Sequence, residues 1–170
     1  MKTLVAFYSR TGNTRRLAQL IATAVDAEVE EINDRANRSG FLGYLRSGWE
    51  RWHGRGTELA PARHDPAAFD LVIIGTPVWQ AAAATPVRSY LQDHAMELPD
   101  VAFFCTHGGM GSRYAFRELE DLCGKSPRAT LACTERQLVR ADLGQAVATF
   151  AAQLRSIDAG PEARTHGTTR

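Results

Sequence analysis

The sequence predicts an α/β fold: a doubly wound, five-stranded parallel sheet with helices on both faces. Three observations carry this. Short apolar runs rich in β-formers alternate with segments of helical period. One run, FDLVIIG, is apolar on both faces, as a central covered strand must be. Loops rich in Gly, Thr and Pro follow the first, third and fourth strands, and right-handed crossovers bring the ends of parallel strands to one edge.

Leu4 to Tyr8 forms the first strand and gives way to Ser9-Arg10-Thr11-Gly12-Asn13-Thr14. A helix follows, with Leu17, Leu20, Ile21 and Ala24 at three- and four-residue spacing. A short second strand is expected over Glu28 to Ile32, and the clearest strand over Phe69 to Gly75. The next helix spans Thr85 to Gln92 and tolerates Pro86 in its first turn. Val101 to Cys105 is the fourth strand. Arg113 to Leu122 then reads as a helix, with Tyr114, Phe116, Leu119 and Leu122 clustering on one side. Ala129 to Cys133 is the fifth strand, and a last helix covers about Asp142 to Leu154. The domain is expected over residues 1–157. The remainder, 158–170, lacks an apolar anchor and is expected to form a disordered tail.

A chain of 170 residues with 44% hydrophobic and 23% charged residues has the bulk character of one ordinary globular domain. Its formal net charge of +1 gives no case for a general nucleic-acid binder. Cys105, Cys123 and Cys133 are an odd number and lack metal-ligand spacing or a CxxC pair, so buried free thiols in a reducing compartment are expected. The apolar start is too short for a signal peptide and no run approaches the length of a membrane span, which makes the cytoplasm the expected location and excludes stable membrane insertion.

Ser9 to Thr14 places hydroxyl and amide side chains and one glycine between a strand and a helix. Gly12 lets the backbone approach an anion, while the helix supplies unpaired N–H groups and the positive end of its dipole. Ser9, Thr11, Asn13 and Thr14 add donors, so a monophosphate can be held without lysine. The lysine of a Walker loop is absent, which counts against ATP or GTP, and no GxGxxG follows the first strand.

This loop resembles that of the flavodoxin family, Thr/Ser-x-Thr-Gly-x-Thr, which SRTGNT fits at every position. The resemblance covers roughly residues 1–154 in order of elements. It implies strand order 2-1-3-4-5 and FMN as cofactor, with Ser9, Thr11, Gly12, Asn13 and Thr14 enclosing the phosphate and Arg10 at the variable position. It also implies that Thr76, Pro77, Val78 and Trp79 flank the flavin ring, Trp79 offering a flat surface for stacking. Thr106, His107, Gly108 and Gly109 then border the ring from the fourth strand, where His107 is a candidate hydrogen-bond donor or proton carrier. Tyr114 is a further candidate neighbour, with a place under its helix as the alternative.

Two departures bear on function. Several flavodoxins have a glycine near flavin N5 where a peptide flips on one-electron reduction. Here no glycine follows Gly75 in the loop, and positive φ is costly at Val78. Flavodoxins are also typically acidic, whereas this chain is near neutral.

Between the second and third strands an inserted segment, about 34–60, is too long to be structureless. Phe41, Leu45, Trp49 and Trp52, joined by Tyr44, follow helical spacing and predict an amphipathic helix over about Gly40 to Trp52, ended by Gly54 or Gly56. Its role is open between covering the sheet and approaching the flavin or a partner.

The leading expectation is an FMN-binding electron-transfer protein passing electrons between a redox partner and an acceptor. The alternatives are a small FMN-dependent NAD(P)H:quinone-type oxidoreductase, with NAD(P)H docking briefly over the flavin, and a non-enzymatic binding domain that retains the fold. A receiver domain fails on its missing aspartate, because the third strand ends in Ile74-Gly75. A low-molecular-weight phosphatase fails on its missing cysteine, because none precedes Cys105.

Overall fold

A computed structural model describes residues 1–34, 57–139 and 143–158. The helix expected over 40–52 and the tail from 159 onward lie outside the described residues.

The described elements are β1 (Thr3–Phe7), α1 (Asn13–Val25), β2 (Glu28–Glu31), a single 3-10 turn (Pro66–Ala68), β3 (Leu71–Trp79), β4 (Ala82–Ala83), α2 (Thr85–His94), β5 (Asp100–His107), α3 (Ser112–Cys123), β6 (Thr130–Thr134), α4 (Glu135–Val139) and α5 (Leu143–Asp158). The sheet runs β2-β1-β3-β5-β6, all parallel, so the five expected strands stand in the expected order. The two-residue β4 is an addition, paired antiparallel to the end of β3.

The strands are apolar on both faces because each face has its own helical layer. Leu4, Ala6, Val72, Ile74, Val101 and Phe103 pack with Val87, Tyr90 and Leu91 of α2 and Leu119 and Cys123 of α3. The alternate residues Val5, Phe7, Leu71, Ile73, Ala102 and Phe104 pack with Leu17, Ala18 and Ile21 of α1 and Val147, Phe150 and Leu154 of α5. Each large side chain so buried contributes roughly 1.5–3 kcal/mol.

The β2 edge is held differently. Glu30 is buried there, accepting hydrogen bonds from the Arg63 N–H (3.2 Å) and meeting His64 Nδ1 at 2.6 Å, while His64 Nε2 lies 3.1 Å from Glu28. The returning chain is thereby tied over the edge strand, and a buried carboxylate finds its partners.

Several element limits shift for local reasons. β3 begins at Leu71 rather than Phe69, because Asp65 accepts from the Ala67 N–H (2.9 Å) and opens the 3-10 turn. Its far end runs on through Thr76, Pro77, Val78 and Trp79, which the sequence places in a loop. The short helix α4 is an addition to the expected elements. On α3 the buried stripe is Ala115, Leu119 and Cys123, with Phe116 and Leu122 at its margin. Tyr114 falls off that stripe and is 71% exposed, which corrects both the expected cluster and its alternative place under the helix.

Cys105, Cys123 and Cys133 are free and buried. Burial pushes the Cys105 thiol up to about 12, with neighbouring Cys133 a lesser cause. Burial likewise raises Cys123 and Cys133. No helix among the described residues is long and apolar enough to cross a membrane.

Gly75 sits directly beneath the fully buried Phe104 ring: a Cβ there would stand 2.0–2.7 Å from three ring carbons. Gly75→Ala is therefore expected to destabilise the fold by about 2–3 kcal/mol through overpacking. Adding Phe104→Leu should cost less than the two single effects combined, because the ring that clashes is gone. Urea unfolding of the two single variants and the double variant checks this.

Candidate cofactor site

The parallel strands deliver three chain segments to the carboxyl edge of the sheet. The first leaves β1 at Tyr8, whose N–H donates to the Gly75 carbonyl (3.1 Å) and keeps the chain against β3 for one more residue. Ser9 is buried, and its Oγ accepts from the Gly12 N–H (3.2 Å), closing a tight turn. Gly12 holds φ 90°, a conformation costly for any residue with a Cβ, and α1 starts immediately after it. No side chain caps α1, so the positive end of its dipole and its first-turn N–H groups remain for an anion. Among the described residues, nothing beyond its own chain neighbours lies within 4 Å of where a Gly12 Cβ would be. Arg10 and Thr11 are exposed and Asn13 half-buried.

Thr14 departs from its neighbours. It is buried, and its hydroxyl shares a 2.8 Å hydrogen bond with that of Thr106, buried at the end of β5. One hydroxyl proton makes that bond and the other is left to donate elsewhere. The bond ties the first segment to the third across 92 residues of sequence.

The second segment is a hairpin. Val78 pairs with Ala83 and Trp79 with Ala82, and the connecting residues Gln80 and Ala81 have φ of 49° and 62°. Positive φ at both central residues is the signature of the type I′ turn, which normally uses Asn-Gly. The Thr76 hydroxyl is fully buried, donating to the Pro77 carbonyl and accepting from the Ala84 N–H, both at 2.9 Å. Thr76 therefore anchors the start of α2, with its side chain turned into the protein. Pro77, Val78 and Trp79 are half-buried. The Trp79 ring meets Tyr8 edge-on, with centroids 5.7 Å apart at 89°. The Arg10 guanidinium lies 5.9 Å from the Trp79 ring centroid, joining the first segment to the second.

The third segment begins at His107, half-buried, whose Nδ1 accepts from the Gly109 N–H (3.1 Å). That bond places the proton of the neutral ring on Nε2 and leaves it as a donor. Gly108 and Gly109 are exposed, Gly109 at φ 149°. Gly111, at φ 94°, begins α3 and packs on the hairpin: a Cβ there would lie 2.8 Å from Ala81 Cα and 3.0 Å from a Val78 methyl.

The structure thus gathers Ser9 to Thr14, Thr76 to Trp79 and Thr106 to Gly109 at one edge. Tyr114, one turn beyond the third segment, lines a surface depression with Ala81 and Ala82 of the hairpin and with Arg117. Sequence reasoning missed Tyr8, read as strand, and Gln80-Ala81, which carry no turn signal. Gly111 was legible as the last glycine of GGMG but had no partner to name.

No family model and no curated relative matches this chain. Solved structures do. A Lactobacillus acidophilus flavoprotein in complex with FMN is 24% identical over 77% of this chain and 92% of its own, with a TM-score of 0.66. A provisionally named flavoprotein of Bacteroides uniformis is 26% identical over 85% of this chain and 96% of its own, with a TM-score of 0.69. Oxidised flavodoxin 2 of Bacillus cereus shares only 16% identity, but spans 92% of this chain and 99% of its own at a TM-score of 0.60. The fold is flavodoxin-like.

The hairpin carries backbone strain that a better turn sequence would remove. Gln80→Asn together with Ala81→Gly should raise stability by about 1 kcal/mol, because each non-glycine residue in the left-handed region costs about that much. Chemical denaturation measures it, and unchanged or lowered stability would contradict the turn geometry.

Proposed function

We propose that this chain is an FMN-binding electron-transfer flavoprotein. The observation that carries the reading is the uncapped start of α1 behind Gly12, set beside the Trp79 hairpin and the His107 loop. The residues fit the cofactor: an uncapped helix end suits a phosphate, and an aromatic hairpin with a glycine loop suits a flat heterocycle. The likeness to an FMN-complexed flavoprotein supports the same assignment.

On this reading Ser9, Thr11, Asn13 and the first-turn N–H groups of α1 hold the phosphate. The spare hydroxyl proton of the Thr14–Thr106 pair adds one donor. Trp79, with Pro77 and Val78, covers one side of the ring. His107 Nε2–H, Gly108 and Gly109 offer hydrogen bonds at its margin. Bound flavin supplies the redox chemistry, and the chain supplies position and electrostatics around it.

A second reading, a two-electron NAD(P)H:quinone-type reductase, is favoured by one observation. The segment flanking the ring is a paired hairpin with no glycine from Thr76 to His107, which restrains the backbone change that a one-electron carrier uses.

Two measurements test these readings. Thr14→Ala should weaken FMN about ten- to a hundredfold, the value of one charge-assisted hydrogen bond, and riboflavin far less. Fluorescence titration of both ligands decides it, and equal weakening would count against a phosphate at this loop. Anaerobic stepwise reduction of the FMN-loaded protein, followed by absorption, should show two separate one-electron stages. A single two-electron transition would move the assignment to the reductase.

A further inference from the structure

The segments that build the carboxyl edge, residues 8–16, 76–84 and 106–117, contain five arginines and no aspartate or glutamate. With a whole-chain formal charge of +1, the remaining residues sum to −4. Among the described residues outside these segments, seven lysines and arginines stand against sixteen aspartates and glutamates, so the positive charge of the described residues is concentrated at the site edge. Arg15 is taken up by Glu31 at the end of β2, through bonds of 3.0 and 2.5 Å. Arg10, Arg16, Arg113 and Arg117 have no carboxylate partner among the described residues.

Two of these arginines flank an exposed apolar pair. Met110 is 85% and Tyr114 71% exposed, and they bracket Arg113 at the start of α3, with Arg117 one turn on. Tyr114 and Arg117 line the depression beside Ala81 and Ala82. Of the acidic residues in that depression, Glu118 is engaged by Arg88 (3.1 Å) and the Ala83 N–H (2.8 Å), while Asp121 lies a turn further from the edge. Exposed methionine, tyrosine and arginine together are the residue types enriched in protein-docking patches.

We propose that this edge is the docking face for an acidic protein electron carrier, seated on Met110 and Tyr114 with its carboxylates against Arg113 and Arg117. This rests on reading the edge as a flavin site. A phosphomonoester carries about −1.5 to −2 charges, which Arg10 and Arg16 beside the first loop offset. Arg113 and Arg117, on the segment that follows β5, remain to attract a partner. A nucleotide would use the arginines but leave the apolar pair uncovered, so a protein surface matches the whole patch better.

The test is amide NMR of the ¹⁵N-labelled protein, FMN-loaded and cofactor-free, titrated with an acidic plant-type [2Fe–2S] ferredoxin as probe. A basic c-type cytochrome serves as control. Signals of residues 110–117 and 79–81 should shift or broaden with the ferredoxin. Its affinity should fall at least ~tenfold as salt rises from ~20 to ~300 mM, because exposed charges are screened. Arg113→Glu with Arg117→Glu should lose binding by at least ~tenfold and gain affinity for the cytochrome, with far-UV circular dichroism unchanged. Both positions are exposed, and glutamate at 113 lies in the favourable first turn of α3, so the variant should fold. Perturbation elsewhere, no perturbation, or salt-independent binding overturns the proposal. So does NADPH shifting the same amides while the charge reversal spares the ferredoxin, or self-association through 110–117 in sedimentation. Failure of FMN to bind would sink the cofactor reading, while the cofactor-free titration would still decide the docking face.

Discussion

The pairing of β3 with β5, in register from Leu71↔Asp100 to Pro77↔Thr106, is the constraint from which the site follows. Parallel pairing sends both carboxyl ends to one edge, and β1 joins them through its own register with β3. Alternation along these strands divides the core cleanly between two helical layers. Gly75 gives up its side chain so that the tip of the Phe104 ring, from the neighbouring strand, can occupy its place. The edge is thus an outgrowth of the most buried part of the molecule, which is what a precisely shaped site needs beneath it.

Above that base the three segments hold one another. Thr14 meets Thr106, Arg10 lies over Trp79, Trp79 abuts Tyr8, and Gly111 closes on Ala81. These contacts join residues distant in sequence, and together they fix what no single loop could. The left-handed backbone at Gln80 and Ala81 is tolerated because β4 pairing and the close approach of Gly111 determine that turn from both sides. The hairpin beside the candidate site is thereby held in one conformation.

The electrostatic picture was concealed by bulk composition. A near-neutral chain gives no reason to expect a charged face, yet the segments that meet at the edge carry five arginines and no carboxylate, and the carboxylates of the described residues all lie outside them. Several of those carboxylates have structural work, as Glu30 does with Arg63 and His64 and Glu118 with Arg88 and the Ala83 N–H.

The sequence by itself determined the strand–helix alternation and the sheet order it implies, because apolar period and loop chemistry are local properties. It also marked SRTGNT as a candidate anion loop, since a glycine before a helix and its hydroxyl neighbours act over a few residues. Only the tertiary structure decided that Thr76 to Trp79 form a paired strand end rather than a loop, since β5 supplies the partner for Thr76 and Pro77 and β4 for Val78 and Trp79. It also turned the Thr14 hydroxyl toward Thr106, brought Tyr8 and Gly111 to the site, and left Tyr114 in solvent. Each of these depends on an atom from a segment far along the chain, and a one-residue change of face on a strand or helix reverses the outcome. Local pattern can announce that a residue is able to bind; which way it points is set by what the rest of the fold places opposite it.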